Sequence, residues 1–188
     1  LSLDLSRMEL GTYDFRPQAV NLADVVERVR QDLQAQADAA HVRVKLEPPH
    51  AGPVYARAEE LLCYSILANL VKNAIEATPA GGTVAVRIEH GEALRVRVRN
   101  PARVPPAIAN RFFDKYVTAG KPGGIGLGTY SARLMARVQE GGLGMRSGDD
   151  GTWGPVAIVP PEAANLMRSA DVAEFADEVG WSFVDVDR

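Results

Sequence analysis

The sequence has little that would mark a secreted, membrane-spanning or nucleic-acid-binding protein. Cys63 is the one cysteine among 188 residues, so intramolecular disulfides are excluded and a reducing compartment is expected. No apolar run reaches the roughly 20 residues that a membrane-spanning helix needs, and no signal peptide is recognisable. The formal net charge of −3 gives no sign of a basic surface for nucleic acid.

The residues that are present suit one folded domain with short appendages. Hydrophobic residues make up 46% of the chain, enough for a sizeable core, and the 24% of charged residues argues against general disorder. Because the chain begins with Leu1 rather than methionine, we expect a piece of a longer protein. The domain is expected to be cytoplasmic, with any membrane anchor lying upstream.

Residues 58–77 are predicted to form a helix with one polar stripe. Apolar residues recur at helical spacing from Leu62 to Ala74. Asn69 and Asn73 are four residues apart and share a face, and Glu76 continues the stripe. Since asparagine is a poor helix former, the pair suggests a polar floor for phosphate and Mg²⁺, or merely two solvated side chains. On this helix alone the solvated interpretation is favoured.

A glycine-rich segment precedes a second predicted helix over residues 129–139. Its glycines are Gly120, Gly123, Gly124, Gly126 and Gly128. Glycine permits close backbone approach, and a helix N-terminus suits phosphate. Alone this is a weak signal, because an ordinary flexible loop reads the same way. The segment is neither a P-loop nor a dinucleotide-binding turn, since it lacks the Lys-Ser/Thr ending and a strand immediately before it.

Taken together, the two stretches resemble the N box and G2 box of sensor histidine kinases. Residues 111–118, Arg-Phe-Phe-Asp-Lys-Tyr-Val-Thr, lie between them and resemble the F box. The resemblance covers about residues 44–160. It implies the ATP-binding catalytic domain of a histidine kinase, in the superfamily shared with gyrase, a heat-shock chaperone and a mismatch-repair ATPase. The fold implied is a two-layer α/β sandwich of the Bergerat type, with a mixed sheet covered by helices on one face.

The resemblance also implies a site and its cofactors. The domain would bind Mg-ATP between its layers and pass the γ-phosphoryl group to a histidine on a dimerisation domain. Asn73 would ligate Mg²⁺, and Lys121 would lie on a lid over the nucleotide. The expected ATP-binding residues are Asn69, Asn73, Asn100, Phe113, Tyr116, Lys121, Gly124, Gly126, Leu127, Gly128 and Thr129.

One segment departs from the family pattern. The family usually carries Asp-x-Gly-x-Gly, the G1 box, where this chain has Asn100-Pro101-Ala102-Arg103-Val104. The amide oxygen of Asn100 can accept the same hydrogen bond from the adenine amino group. Pro101 stiffens the turn and Arg103 adds bulk, and both work against tight adenine binding.

Periodicity predicts the other elements. Helices are expected over residues 21–40, with Asn21 as N-cap, and over residues 104–113. A strand is expected over residues 42–46, a hairpin over 83–89 and 93–99, and sheet-closing strands over 141–147 and 155–159. Arg95, Arg97 and Arg99 form either a basic patch or, as we favour, a solvated strand face.

The expected organisation has three parts. Residues 1–16 resemble the end of the dimerisation helix and a linker, residues 17–160 form the catalytic domain, and residues 161–188 are an extension of unknown role. In the extension, an acidic helix and an alternating strand read as a solvated tail, a flap or a docking segment. None of His41, His50 and His90 is followed by an acidic residue, so the phosphoacceptor is expected outside this chain.

The expected partners are the protein's own dimerisation domain, a response-regulator receiver domain and, in the full-length protein, a second copy. Nucleic acid is not expected. Three alternatives stay open. A serine-kinase anti-sigma factor of this fold would lack the N-terminal helix, and a superfamily ATPase would carry a carboxylate at Asn69. An interaction module that binds no nucleotide is kept open by the altered G1 box.

Overall fold

Short helices and strands alternate along the chain. The computed structural model describes residues 2–47, 54–89, 94–118, 125–148 and 151–158. The helices are α1 (Ser2–Glu9), α2 (Leu22–Asp32), α3 (Gln34–Ala39), α4 (Glu60–Ala77), α5 (Pro106–Ala109) and α6 (Gly128–Val138). The strands are β1 (Gln18–Asn21), β2 (Arg43–Leu46), β3 (Tyr55–Ala58), β4 (Thr83–Glu89), β5 (Leu94–Asn100), β6 (Gly142–Leu143), β7 (Arg146–Gly148) and β8 (Gly151–Ile158).

Within the described residues, the main sheet has six strands in the order β2-β4-β5-β8-β6, with β7 also paired to β8. β2 runs parallel to β4, and the other pairs are antiparallel, so the sheet is mixed. Side chains alternate along β4 and β5, which buries Val84, Val86, Val96 and Val98 on one face. α2, α4 and α6 pack against this sheet. The predicted two-layer α/β sandwich is therefore confirmed.

α4 is the central helix of the second layer. It packs between α2 and α6 and against the sheet, and Ile66 and Leu67 are at most 1% exposed. Burying one such side chain fully contributes about 1.5–3 kcal/mol. Cys63 is buried on the same helix, and its thiol donates to Gln139 Oε1 at 3.6 Å. Burial raises the pKa of Cys63 to about 12, so the thiol is unreactive at neutral pH.

Two of the predicted helices are wrong in extent. The stretch over residues 21–40 breaks at Leu33 into α2 and α3. Asn21 is the N-cap of α2 as predicted, because its side chain accepts hydrogen bonds from the amides of Ala23 (3.3 Å) and Val54 (3.1 Å). Within residues 104–113 only α5 is α-helical. The turns after it are closed by bonds to the third preceding residue, such as Arg111 N to Ile108 O.

The sequence did not predict the small sheet formed by β1 and β3. These four-residue strands pair antiparallel, with Gln18 opposite Ala58 and Asn21 opposite Tyr55. Each is too short to show a reliable alternation, and each is defined by its distant partner.

Several predicted features lie outside the described residues. These are the extension from residue 161 onward, His50, His90 and the glycine segment before Ile125. His41 lies in a turn at φ +53°. Among the described helices, none is both long and apolar enough to cross a membrane.

Candidate functional site

A cleft of about 830 Å³ opens between α4, the end of β5 and the N-terminus of α6. This volume is in the range typical of small-molecule sites. The predicted site residues that line it are Asn69, Asn73, Asn100, Phe113, Gly126, Leu127, Gly128 and Thr129. The tertiary structure therefore brings together most of a set that is spread over 60 residues of sequence.

The polar stripe of α4 meets the glycine-rich start of α6 at Gly128. A Cβ atom on Gly128 would lie 3.4 Å from Asn69 Oδ1 and 3.9 Å from Asn73 Nδ2. Both asparagines are half-buried, and no hydrogen bond of either amide is found among the residues that the structure describes. The first N–H groups of a helix have no intrahelical partner and carry its positive dipole end. Two amides and a helix N-terminus thus share one space that suits phosphate.

The hydroxyl groups of Thr129 and Ser131 stabilise the start of α6 through hydrogen bonds to backbone carbonyl oxygens. Thr129 Oγ1 donates to Phe112 O at 2.8 Å, and Ser131 Oγ donates to Gly128 O at 3.0 Å. The Thr129 hydroxyl proton is therefore used to join α6 to the aromatic segment. A contact of Thr129 with a nucleotide stays a prediction.

The aromatic segment contributes Phe113 to the cleft but not Tyr116. Phe113 is 8% exposed and packs edge-to-face on Phe112, with ring centroids 5.2 Å apart. The guanidinium of Arg133 lies 5.5 Å from the centre of the Phe113 ring. The side chain of Tyr116 is 71% exposed and does not line the cleft, and its contact with ATP stays a prediction.

Tyr116 instead holds the glycine segment through its backbone. Its amide donates to Gly126 O at 2.9 Å, and both residues have positive φ, +64° and +69°. A Cβ atom on Gly126 would lie 2.6 Å from the carbonyl carbon of Tyr116, so only glycine fits there. Lys121 and Gly124 lie outside the described residues, and their roles stay predictions.

At the other end of the cleft, Asn100 belongs to a turn that side-chain hydrogen bonds stabilise. It is 6% exposed, and its Nδ2 donates to Ala102 O at 3.5 Å. Thr152 Oγ1 donates to the same carbonyl at 2.7 Å and lies 2.9 Å from Ser147 Oγ, which accepts from Val104 N at 2.8 Å. In this orientation the amide oxygen of Asn100 has no hydrogen-bond donor among the described residues and can act as an acceptor at this end of the cleft.

Sequence reasoning missed several residues of the site. Gly151 has φ +108°, and a Cβ there would lie 2.3 Å from Asn100 O, so it permits the turn after β5. Lys72 and Arg103 line the cleft and add positive charge to it, a contribution that the sequence interpretation did not assign to either residue. Lys72 was detectable, as the residue beside Asn73 on the same helix. The contact of Gly151 with Asn100 could not be predicted from the sequence, because a glycine in a turn gives no sign of its distant neighbours.

The ligand set fits Mg²⁺ only in company with phosphate. No group of three or more histidine, cysteine, aspartate or glutamate side chains lies together in the described part of the chain. A cation here would be held by a neutral amide such as that of Asn73 and by ligand oxygens. This arrangement suits Mg²⁺, which is often bound largely through substrate phosphates.

Comparison with known proteins gives consistent results. The family described as "Histidine kinase-, DNA gyrase B-, and HSP90-like ATPase" matches residues 58–163, more than half of the chain. The chain is 32% identical over 149 residues to the sensor protein kinase PmrB of Pseudomonas aeruginosa. That match covers 76% of this chain and 30% of PmrB, so the chain spans less than a third of that relative.

Solved structures of histidine kinases share the fold. The histidine kinase AdeS of Acinetobacter baumannii superposes with a TM-score of 0.71 at 17% identity, over 85% of this chain and 75% of that one. Full-length ShkA in complex with AMPPNP superposes with a TM-score of 0.71 at 18% identity, over 85% of this chain and 35% of that one. Because the family match, the PmrB likeness and the cleft agree, the chain belongs to the histidine kinase-, DNA gyrase B- and HSP90-like ATPases, as an ATP-binding catalytic domain of the sensor histidine kinase kind.

Proposed function

We propose that this domain binds Mg-ATP in the cleft and presents the γ-phosphoryl group to a histidine on a dimerisation domain of the longer protein. The meeting of Asn69 and Asn73 with the helix N-terminus at Gly128 carries the proposal. The likeness to ShkA, solved with AMPPNP, supports a nucleotide as ligand. In this reaction class the domain positions the nucleotide and neutralises its charge and forms no covalent bond to it.

Each wall of the cleft would hold a different part of the nucleotide. Asn69 and the N–H groups at the start of α6 would bind phosphate oxygens. Asn73 would supply one Mg²⁺ ligand, and the bound cation would offset phosphate charge. Lys72 lies on the same wall and would add a further positive charge.

Asn100 would read the base. Its NH₂ group is directed to Ala102 O, so its oxygen remains to accept from the adenine amino group. The bond to Ala102 is long at 3.5 Å, which makes the opposite orientation of the amide accessible at small cost. We therefore expect a preference for ATP over GTP, although a weaker one than an aspartate would produce.

The N-terminal segment would be the end of the dimerisation helix. α1 lies on α6 and buries Met8, and Glu9 accepts hydrogen bonds from Tyr130 Oη at 2.9 Å and Lys115 Nζ at 2.6 Å. The linker is also held, because Glu59 accepts from Tyr13 Oη at 2.8 Å. Burial, together with that bond, raises the pKa of Tyr13 to about 12.

The division of the chain into residues 1–16, 17–160 and 161–188 is part of this proposal, and these contacts bear only on its first boundary. In the full-length protein the partners would be its own dimerisation domain, a second copy and a receiver domain. The domain would act in the cytoplasm. The likeness to PmrB favours this function over a serine-kinase anti-sigma factor.

Calorimetry with Mg-ATP tests the proposal directly. Asn73→Ala should weaken binding by about 1.5–3 kcal/mol, the value of a hydrogen bond or ligand contact to a charged group. Asn110→Ala is the matched control, since Asn110 is exposed and does not line the cleft. Unchanged affinity in Asn73→Ala would exclude its metal role, and an absence of binding to the wild-type chain would favour the interaction module.

Phosphotransfer needs a second measurement. Labelled ATP should leave this chain unlabelled and should label a dimerisation domain supplied from the longer protein. Acid-labile phosphate on His41, His50 or His90 would contradict the proposal.

A further inference from the structure

The outer face of the main sheet, opposite the buried valines of β4 and β5, carries mainly cationic side chains. Arg95, Arg97 and Arg99 alternate along β5 with buried residues and so share this face. Arg87 lies directly opposite Arg97 on β4. These side chains give the face a net positive charge, which suits contact with an anionic segment.

The positive charge continues across the sheet to its edge. Arg43 and Lys45 of β2 lie opposite Thr83 and Ala85, which stand on the same face of β4 as Arg87. Both are exposed. Two carboxylates lie beside this surface: Glu89 pairs with Arg97 at 2.9 Å and Glu47 with Arg87 at 3.9 Å.

The chain contains a segment of complementary charge. Residues 159–188 hold seven acidic and two basic side chains, a formal net charge of −5, which is more negative than the −3 of the whole chain. Residues 1–158 therefore sum to +2. Six of the seven acidic residues fall within residues 171–187, without a cation among them.

The connection is long enough to bring the acidic segment to this face of the sheet. The chain leaves the described structure at Ile158, the last residue of β8, which is paired with Leu94 at the start of β5. From β8 to β2 is three strand spacings, about 14 Å. The residues between Ile158 and Asp171 can span up to about 40 Å when extended. The acidic segment can therefore reach every cation of the outer face.

We propose that the acidic segment, residues 171–187, docks in cis on the cationic outer face of the main sheet. The face is the far side of the sheet from the helices that form the nucleotide cleft. The segment would lie over Arg43, Lys45 and Arg87 and shield the sheet from other anionic partners. Binding of ATP is not needed for this docking, so the inference stands or fails independently of the proposed function.

A paramagnetic label on the full chain tests the docking. Ser182→Cys supplies a cysteine to which a nitroxide is attached. Cys63 is buried and should stay unmodified. Wild-type chain treated with the same nitroxide reagent checks this. The expected result is a loss of amide NMR intensity that is strongest in β2 and β4 and weaker in α2 and α4. No loss in the sheet, or a stronger loss in the helices, would overturn the proposal.

Charge variants and a mixed sample complete the test. Lys45→Glu with Arg87→Glu should restore the lost intensities, whereas Arg137→Glu, on the exposed side of α6, should not. Because these substitutions alter the sheet surface itself, a salt titration serves as a second test. It uses the labelled chain without the charge substitutions, and its NMR intensities should recover as added salt screens the charges. If the intensities recover neither in the charge variant nor at high salt, the docking is not electrostatic and the proposal is overturned. In a mixture, nitroxide-labelled chains without isotope are combined with isotope-enriched chains without the label. A loss of intensity in the enriched chains would mean that the segment docks on a second copy, and this would overturn docking in cis.

Discussion

Substituting Gly128 by alanine should raise the stability of the domain while weakening its affinity for nucleotide. Gly128 begins α6 and is not among the glycines with positive φ. The nearest atom to a new Cβ would be Asn69 Oδ1 at 3.4 Å, an ordinary contact distance. Alanine therefore fits without strain in the protein alone.

The two effects have different sources. A glycine-to-alanine change at a compatible backbone position stabilises by about 0.4–1 kcal/mol through the unfolded chain. For a domain of this size that raises the melting temperature by roughly 1–4 °C. The same methyl group fills the gap between Asn69, Asn73 and the helix N-terminus, where a phosphate would lie. Loss of one contact to a charged group costs about 1.5–3 kcal/mol, a roughly 10- to 150-fold weaker Kd.

Thermal unfolding without ligand and calorimetry with Mg-ATP measure the two quantities separately. The stabilisation that saturating ATP adds should shrink in Gly128→Ala, since it depends on Kd. Arg137→Ala is the matched control on the same helix, because Arg137 is exposed and remote from the cleft lining. An unchanged Kd in a Gly128→Ala protein that is correctly folded would refute the assignment of phosphate to this space.

Three further predictions concern the turn after β5, the glycine segment and α1. Asn100→Asp should sharpen the preference for ATP over GTP in calorimetry with both nucleotides, since an ionised carboxylate can only accept the hydrogen bond of the adenine amino group. Gly126→Ala should lower the free energy of unfolding in urea more than Gly81→Ala, because both have positive φ but only the former brings a Cβ to 2.6 Å from backbone. Glu9→Gln should speed amide hydrogen exchange in α1, measured by mass spectrometry, because it removes the carboxylate that joins α1 to α6 and Lys115.

The contribution of Glu9 has a defined pH dependence. The hydrogen bonds from Lys115 and then Tyr130 hold the pKa of Glu9 below its ordinary value of 4.5. A lowered folded pKa means that the contribution is present above the unfolded pKa and is lost as pH falls through the folded one. Protection of α1 in the wild type should therefore decline toward that of Glu9→Gln below about pH 4.5.

Distinct outcomes would contradict these predictions. Equal losses in Gly126→Ala and Gly81→Ala would mean that the contact with the Tyr116 backbone relaxes freely. An unchanged nucleotide preference in Asn100→Asp would mean that another group reads the base. Wild-type exchange of α1 in Glu9→Gln at pH 7 would mean that apolar contacts such as those of Met8 and Leu5 hold that helix.

Features set by near neighbours along the chain were predictable. The apolar spacing of α4 and the alternation of β4 and β5 come from periods of 3.6 and 2, and both were predicted nearly to their ends. The order of the asparagine pair, the aromatic segment and the glycine segment was enough to identify the family. The predictions failed where a distant partner or a turn decides the structure, as at β1 and β3 and in the stretch after α5.

The residue types of the site could be predicted from the sequence, because each motif lies within one short segment of the chain. The tertiary structure was needed to show how the motifs meet. It placed Asn69 beside Gly128 and left the Tyr116 side chain outside the cleft. It also supported Asn100 by Thr152 and Gly151, from the neighbouring strand β8. These contacts join residues about 50 or more positions apart, so no pattern within either segment contains them; packing of α4 against α6 and pairing of β5 with β8 create them.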